Sequence, residues 1–248
     1  SGTKLRIAKT LLPAADALVM NAVLPLLTGE SGSALGAAVV DGLRANPDLD
    51  RYLSPPQLDS AMAAFPESVR SAANDLRNRL ESRDQALINR FLQLEPRLGA
   101  GDVTRGRHIF FGDRAACSTC HAVGDEGGRL GPDLTTIGLV RSGHDLLEAI
   151  LFPSSSIVPE FTPYLARLKD DDVSGIIHEE TPQTILLATS AAELREVPRD
   201  QIVELTPSAV SIMPEGLDTG LSDDELLDLM AFLQSLNNEQ WLLPERRS

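Results

Sequence analysis

The chain has 248 residues, 42% of them hydrophobic and 23% charged, with a formal net charge of −14. That length suits one large domain or two ordinary ones, no apolar run approaches the roughly 20 residues that cross a bilayer, and so negative a chain would repel a phosphate backbone, which argues against nucleic acid. The charge is uneven: residues 1–100 hold 11 basic and 11 acidic side chains, while residues 101–248 hold 11 and 25. This asymmetry predicts two domains, a neutral one over 1–100 and an acidic one over 101–248. An acidic surface aids solubility, and it can also steer a basic partner.

Ser1-Gly2-Thr3 reads as a cloning scar joined directly to helical sequence, and the expectation is a fragment of something longer whose export signal was left behind. Short helices follow. Ser54-Pro55-Pro56-Gln57 is a capping box with proline at the first helical position, ahead of Leu58, Met62 and Phe65. Pro66 stops that helix and starts the next, which carries Val69, Ala73, Leu76 and Leu80. Ser82 to Gln85 repeats the capping signature, and Leu87, Phe91, Leu94 and Leu98 then share one helical face. Such helices suit a stacked repeat or a small helical domain, and no clean fixed period supports the repeat. Gly99-Ala100-Gly101-Asp102 is a natural boundary.

Beyond it, a helix from about 103 to 112 leads into Cys117-Ser118-Thr119-Cys120-His121, then a Gly-rich stretch over 124–131 and Pro132-Asp133-Leu134. Leu146, Leu147, Ile150 and Leu151 mark a helix that ends at Pro153. Residues 164–168, 173–179, 184–188 and 201–205 are short β-branched-rich runs, which predicts an antiparallel sheet of four or five strands within about 161–205. Asp170-Asp171-Asp172 reads as a solvated turn. Ser222-Asp223-Asp224-Glu225 caps a final amphipathic helix through Leu226, Leu229, Met230, Leu233 and Leu236. The expected fold is mainly α, a helical domain followed by a second domain with a small antiparallel β insert.

The two cysteines sit three apart and cannot staple a fold. The pattern C-x-x-C-H is a haem attachment sequence: two thiols on one turn add to the two vinyl groups, and the adjacent histidine falls under the iron. Zinc wants four ligands, and no second cysteine pair exists. A redox dithiol sits at the strand-to-helix turn of a βαβ unit, and none precedes Cys117. Haem c is therefore the expected cofactor, anchored by Cys117 and Cys120 with His121 as proximal ligand. A methionine in the sixth position raises the potential and suits electron transfer, and Met213, in the turn-rich segment Ile212-Met213-Pro214-Glu215-Gly216, is the candidate. Met230, Met20 and Met62 read as packing residues. His108, His144 and His178 read as surface or packing histidines.

Residues 102–236 resemble a class I cytochrome c. Gly106 and Phe110 are similar to the glycine and aromatic of that family's first helix, Ala231-Phe232-Leu233 to the Ala-Tyr-Leu of its last helix, Gly131-Pro132-Asp133-Leu134 to its Gly-Pro-x-Leu, and Met213-Pro214 to its distal Met-Pro. The resemblance implies that the first helix packs across the last and that Met213 is the distal ligand. It also implies that the Pro132 carbonyl accepts a hydrogen bond from His121, orienting the ring and raising its basicity.

A small cytochrome c reaches its methionine without crossing a sheet. Here residues 161–205 intervene, which points to a narrower resemblance, to the haem-binding domain at the carboxyl end of large planctomycete and verrucomicrobial proteins. Gly106-Arg107-His108-Ile109-Phe110, Leu147-Glu148-Ala149-Ile150-Leu151 with Pro153-Ser154, and Met213-Pro214-Glu215-Gly216-Leu217 carry that resemblance. Phe65-Pro66-Glu67-Ser68-Val69-Arg70 is similar to the segment preceding that domain, which commonly follows helical repeats or a propeller resembling sugar dehydrogenases. Where the family tends to have Asp-Gly, this chain has Asp170-Asp171-Asp172, so a tight two-residue hairpin is not expected there.

The resemblance implies a periplasmic or otherwise extracytoplasmic electron carrier, not itself an enzyme, serving a redox partner or an upstream dehydrogenase domain. Two other readings stay open. One is a haem sensor or peroxidase-like enzyme with an open distal site. The other is a partner-binding module whose haem is structural.

Overall fold

The structure, a computed structural model, describes residues 2–15, 19–20, 23–24, 27, 32–169, 172–190 and 193–237. Ser1 and the predicted turn at Asp170 and Asp171 lie outside the described residues. Among the described residues there are eleven α-helices, one five-stranded antiparallel sheet and a two-stranded ribbon. None of these helices is long and apolar enough to cross a membrane.

The first six helices are α1 (Gly2–Thr10), α2 (Ser33–Ala45), α3 (Leu49–Tyr52), α4 (Pro55–Met62), α5 (Glu67–Ala72) and α6 (Asn74–Leu94). The predicted cap starts α4: the Ser54 backbone N–H donates to Gln57 Oε1 at 2.8 Å. Leu58, Met62, Phe65, Val69, Leu76 and Leu80 enter one core with Met20. The second predicted cap, at Ser82, does not form. The Ser82 hydroxyl donates back to the Asn78 carbonyl at 2.8 Å, which satisfies a continuing helix instead of starting one. An Arg77–Glu81 pair at 3.0 Å spans the same turn. The break falls at Ala73, and α6 feeds two cores. Leu76 and Leu80 belong to the first, Leu94 to the second, with Leu87 and Phe91 packed against it.

Next come α7 (Val103–Phe111), α8 (Cys117–Cys120), the ribbon strands β1 (Ala122–Val123) and β2 (Glu126–Gly127), α9 (Ile137–Val140), α10 (Gly143–Leu151) and, at the end, α11 (Asp223–Ser235). The Asp102 carboxylate caps α7 by accepting the Arg105 N–H at 2.8 Å, and Ser222 with Glu225 caps α11. Helices α7 and α11 cross at Gly106, where a Cβ would stand 1.9 Å from the Asp228 carbonyl oxygen and 2.7 Å from Phe232 Cβ. Only glycine allows that approach. Phe110 and Phe232 are fully buried beside it, their ring centroids 5.5 Å apart. Each such burial contributes about 1.5–3 kcal/mol. The buried Asp228 carboxylate closes the crossing, accepting the Asp102 N–H at 2.6 Å and two Arg105 bonds at 2.6 and 2.9 Å. Arg105 holds that carboxyl below its usual range.

Between α10 and α11 lies the sheet: β3 (Pro163–Leu168), β4 (Asp172–Glu180), β5 (Thr184–Ser190), β6 (Glu193–Pro198) and β7 (Ile202–Pro207), in the order β6-β5-β4-β3-β7. Ala166, Val173, Ile185, Leu187 and Val197 form its core. Strand β6 was not among the four predicted runs. It is a charged edge strand, Glu193-Leu194-Arg195-Glu196-Val197-Pro198, in which only Val197 is buried, so its apolar alternation is weak. With five strands over 163–207, the molecule is mixed helix and sheet rather than plainly mainly α.

Replacing Gly106 by alanine should lower the unfolding free energy by about 3 kcal/mol in a urea titration. Gly2→Ala, at an exposed position that meets nothing within 4 Å, should change it by less than about 0.5 kcal/mol. Equal midpoints for the two variants would contradict the close crossing.

Candidate functional site

Helix α8 is a single turn, closed by the His121 N–H donating to the Cys117 carbonyl at 3.0 Å. Ala116 enters it in the left-handed region, with φ 50°. The segment after the ribbon folds back over this turn. The Gly128 N–H donates to the Ser118 carbonyl, the Gly131 N–H to the Cys120 carbonyl and the Leu134 N–H to the Ala122 carbonyl, each at 2.8 Å. Thr135, which the sequence reading passed over, is buried and accepts the Gly124 N–H on its hydroxyl at 2.7 Å. Its own N–H donates to Asp133 Oδ1 at 2.8 Å, an Asx-type turn whose Asp-Leu-Thr spacing was the available signal.

This return places the Pro132 carbonyl 2.9 Å from His121 Nδ1. The carbonyl can only accept, so Nδ1 carries the proton and Nε2 keeps its lone pair. Burial lowers the imidazole pKa, against the opposing effect of the Pro132 bond, and so favours the neutral ring. Gly131 presses its backbone on the ring: a Cβ there would lie 2.5 Å from His121 Cε1.

Cys117, Cys120, His121, Pro132 and Met213 all line one cavity that opens to solvent. Its other walls are mostly apolar, with Phe110 from α7, Leu146 and Ile150 from α10, and Leu229 and Leu233 from α11. Residues far apart in sequence are thus brought together. The Met213 N–H donates to Ser211 Oγ at 3.1 Å, and the Ser211 N–H to Ser154 Oγ at 3.2 Å, which ties the methionine segment to the end of α10. The sheet does not line the cavity but backs three of its lining residues, Cys120, Phe161 and Ile212. Ile176 of β4 and Ala188 of β5 bury Leu130, and Cys120, Phe161 and Ile212 pack against them.

His108, His144 and His178 are exposed, and none of them lines the cavity. His144 meets Glu95 at 2.6 Å and stands edge-on to Phe91 at 5.0 Å. Met20, Met62 and Met230 are buried in the cores. Among the described residues, no three His, Cys, Asp or Glu side chains gather into a metal-binding group. No family profile and no curated protein matches the chain.

The two thiols sit unbonded and partly buried. Burial pushes Cys117 up to about 11 and raises Cys120 as well. With that pKa, about one Cys117 in a thousand is thiolate at pH 8. Its alkylation by iodoacetamide, followed by peptide mass spectrometry, should therefore climb about tenfold per pH unit from pH 8 to pH 10. A plateau near pH 9 would show the thiol to be effectively solvated.

Proposed function

We propose that the chain is a c-type cytochrome module that carries single electrons outside the cytoplasm, with one haem held covalently by Cys117 and Cys120, His121 as proximal ligand and Met213 as distal ligand. On this reading residues 101–248 are a cytochrome c fold with the sheet inserted before the distal ligand, as the resemblance to class I cytochromes implies. The observation that carries it is the convergence of both thiols, the oriented imidazole and Met213 on one largely apolar cavity.

The residues present fit the group. The thiols are unpaired, Nε2 has a lone pair to give, and the glycine at 131 leaves the imidazole the space that a side chain would take. When bound, haem supplies a one-electron iron couple whose potential methionine ligation raises. The chain's own groups do the rest. Pro132 orients the imidazole and makes it a better donor. Phe110, Leu229 and Leu233 exclude water, and the Leu130–Ile176–Ala188 cluster closes the Cys120 side. Asp145 lines the cavity with its carboxylate engaged as a helix cap, accepting the Ser142 hydroxyl at 2.8 Å. The acidic charge of residues 101–248 would steer a basic redox partner. Family analogy adds an upstream dehydrogenase domain as an alternative donor, and a periplasmic or other extracytoplasmic location.

Expression with c-type maturation machinery should give a haem c spectrum, low-spin and six-coordinate in both oxidation states. Met213→Ala should abolish that coordination and let the reduced protein bind carbon monoxide. Ready binding by the unaltered chain, with Met213→Ala changing nothing, would instead favour an open-site sensor or peroxidase. Absence of any haem c spectrum would sink the proposal.

A further inference from the structure

The segment that follows Met213 is gripped from outside the cavity by the first hundred residues. Arg83 of α6 pairs with Glu215, their side chains only 17% and 12% exposed. Seven residues on, and so on the same face of the helix, Arg90 pairs with Asp218, whose side chain is 1% exposed. Arg90 also reaches Asp223 at 2.9 Å and donates to the Leu221 carbonyl at 3.0 Å. Arg51 of α3 lies over Gly216, which holds φ 78°, and donates to Thr219 Oγ1 at 3.3 Å.

The gripped residues alternate with residues that face the cavity. Met213, Pro214 and Leu217 line it, whereas Glu215 and Asp218 turn to the arginines. A loop that carries a ligand is ordinarily drawn from the less stable parts of a fold. Here guanidinium forks on rigid helices meet partly buried carboxylates, a geometry that fixes direction as well as distance.

We propose that Arg83 and Arg90, with Arg51, are positioning residues for Met213: α6 holds residues 213–221 against the cavity and so sets whether the distal position is closed. This rests on the reading of Met213 as an iron ligand. The first hundred residues thereby control ligation without touching the cavity, and displacing α6 opens the distal side.

The test uses the haem-loaded full chain with Arg83→Ala, Arg90→Ala, Arg90→Lys and Arg105→Ala. Arg105 pairs with Asp228 at the α7–α11 crossing and serves as the control for general destabilisation. Arg83→Ala and Arg90→Ala should weaken the methionine-to-iron absorption band and raise carbon monoxide binding on the order of tenfold. Arg90→Lys, which keeps the charge without the fork, should fall between. Arg105→Ala should melt at a lower temperature and keep the band.

In the haem-free chain, backbone amides of 213–221 should exchange faster in the Arg83 and Arg90 variants alone. Where Arg90→Ala fails to fold, Arg83→Ala and Arg90→Lys carry the comparison. An intact band and unchanged exchange in these variants, in a chain whose iron is methionine-ligated, overturn the positioning role. A chain whose spectrum is indifferent to Met213→Ala overturns the ligand reading, and with it any control of iron by these arginines.

Discussion

The backbones of α7 and α11 touch at Gly106, and little else in the second half of the chain could stay where it is if they did not. Helix α7 leads straight into the cysteine turn, while α11 supplies Leu229 and Leu233 to the cavity. A side chain at 106 would force the helices apart and separate those walls from the turn. The same helix anchors the opposite rim, where the Gly138 N–H donates to the Leu236 carbonyl at 3.1 Å and the Gly138 backbone lies against Gln234. Asp228 fastens the crossing with charge-assisted bonds, so the contact is held polar at its edge and apolar at its centre.

The imidazole and its cavity are energetically linked. Burial favours an uncharged His121, and the single bond to Pro132 decides which nitrogen keeps the proton. On the proposed reading, a haem bound among these side chains would stabilise the folded chain by linkage, and the backbone at Gly131 and Pro132 sets the orientation of His121.

What the sequence made legible was local. The helix starts at Ser54 and Ser222 depend on residues three apart, and C-x-x-C-H is a pattern of neighbours. The same kind of pattern misled at Ser82, because a serine followed by glutamine is equally at home inside a helix when its hydroxyl bonds backward to Asn78. Strand β6 was missed because an edge strand needs only one buried side chain. Met213 could be singled out only through its turn-rich setting and its resemblance to a distal Met-Pro, since nothing local ties it to His121. Arg51, Arg83 and Arg90 were illegible for a plainer reason. Their partners lie more than a hundred residues downstream, and a surface arginine looks alike in sequence whether or not it has one.

Strands β3 and β7 are neighbours, with Tyr164 opposite Pro207 and the Ser208 N–H donating to the Pro163 carbonyl at 2.8 Å. The chain therefore leaves the helical framework and rejoins it at a single seam, across the roughly 5 Å that separates paired strands. Everything between is an excursion that touches the framework again through Ile176 and Ala188, which pack on Leu130. A graft of different size at that seam would change loop-closure entropy only slowly with its length. The chain length between the two seam strands can accordingly drift where the Ile176 and Ala188 contacts are kept, while the proposed joint ligation would hold the spacing of His121 and Met213 constant.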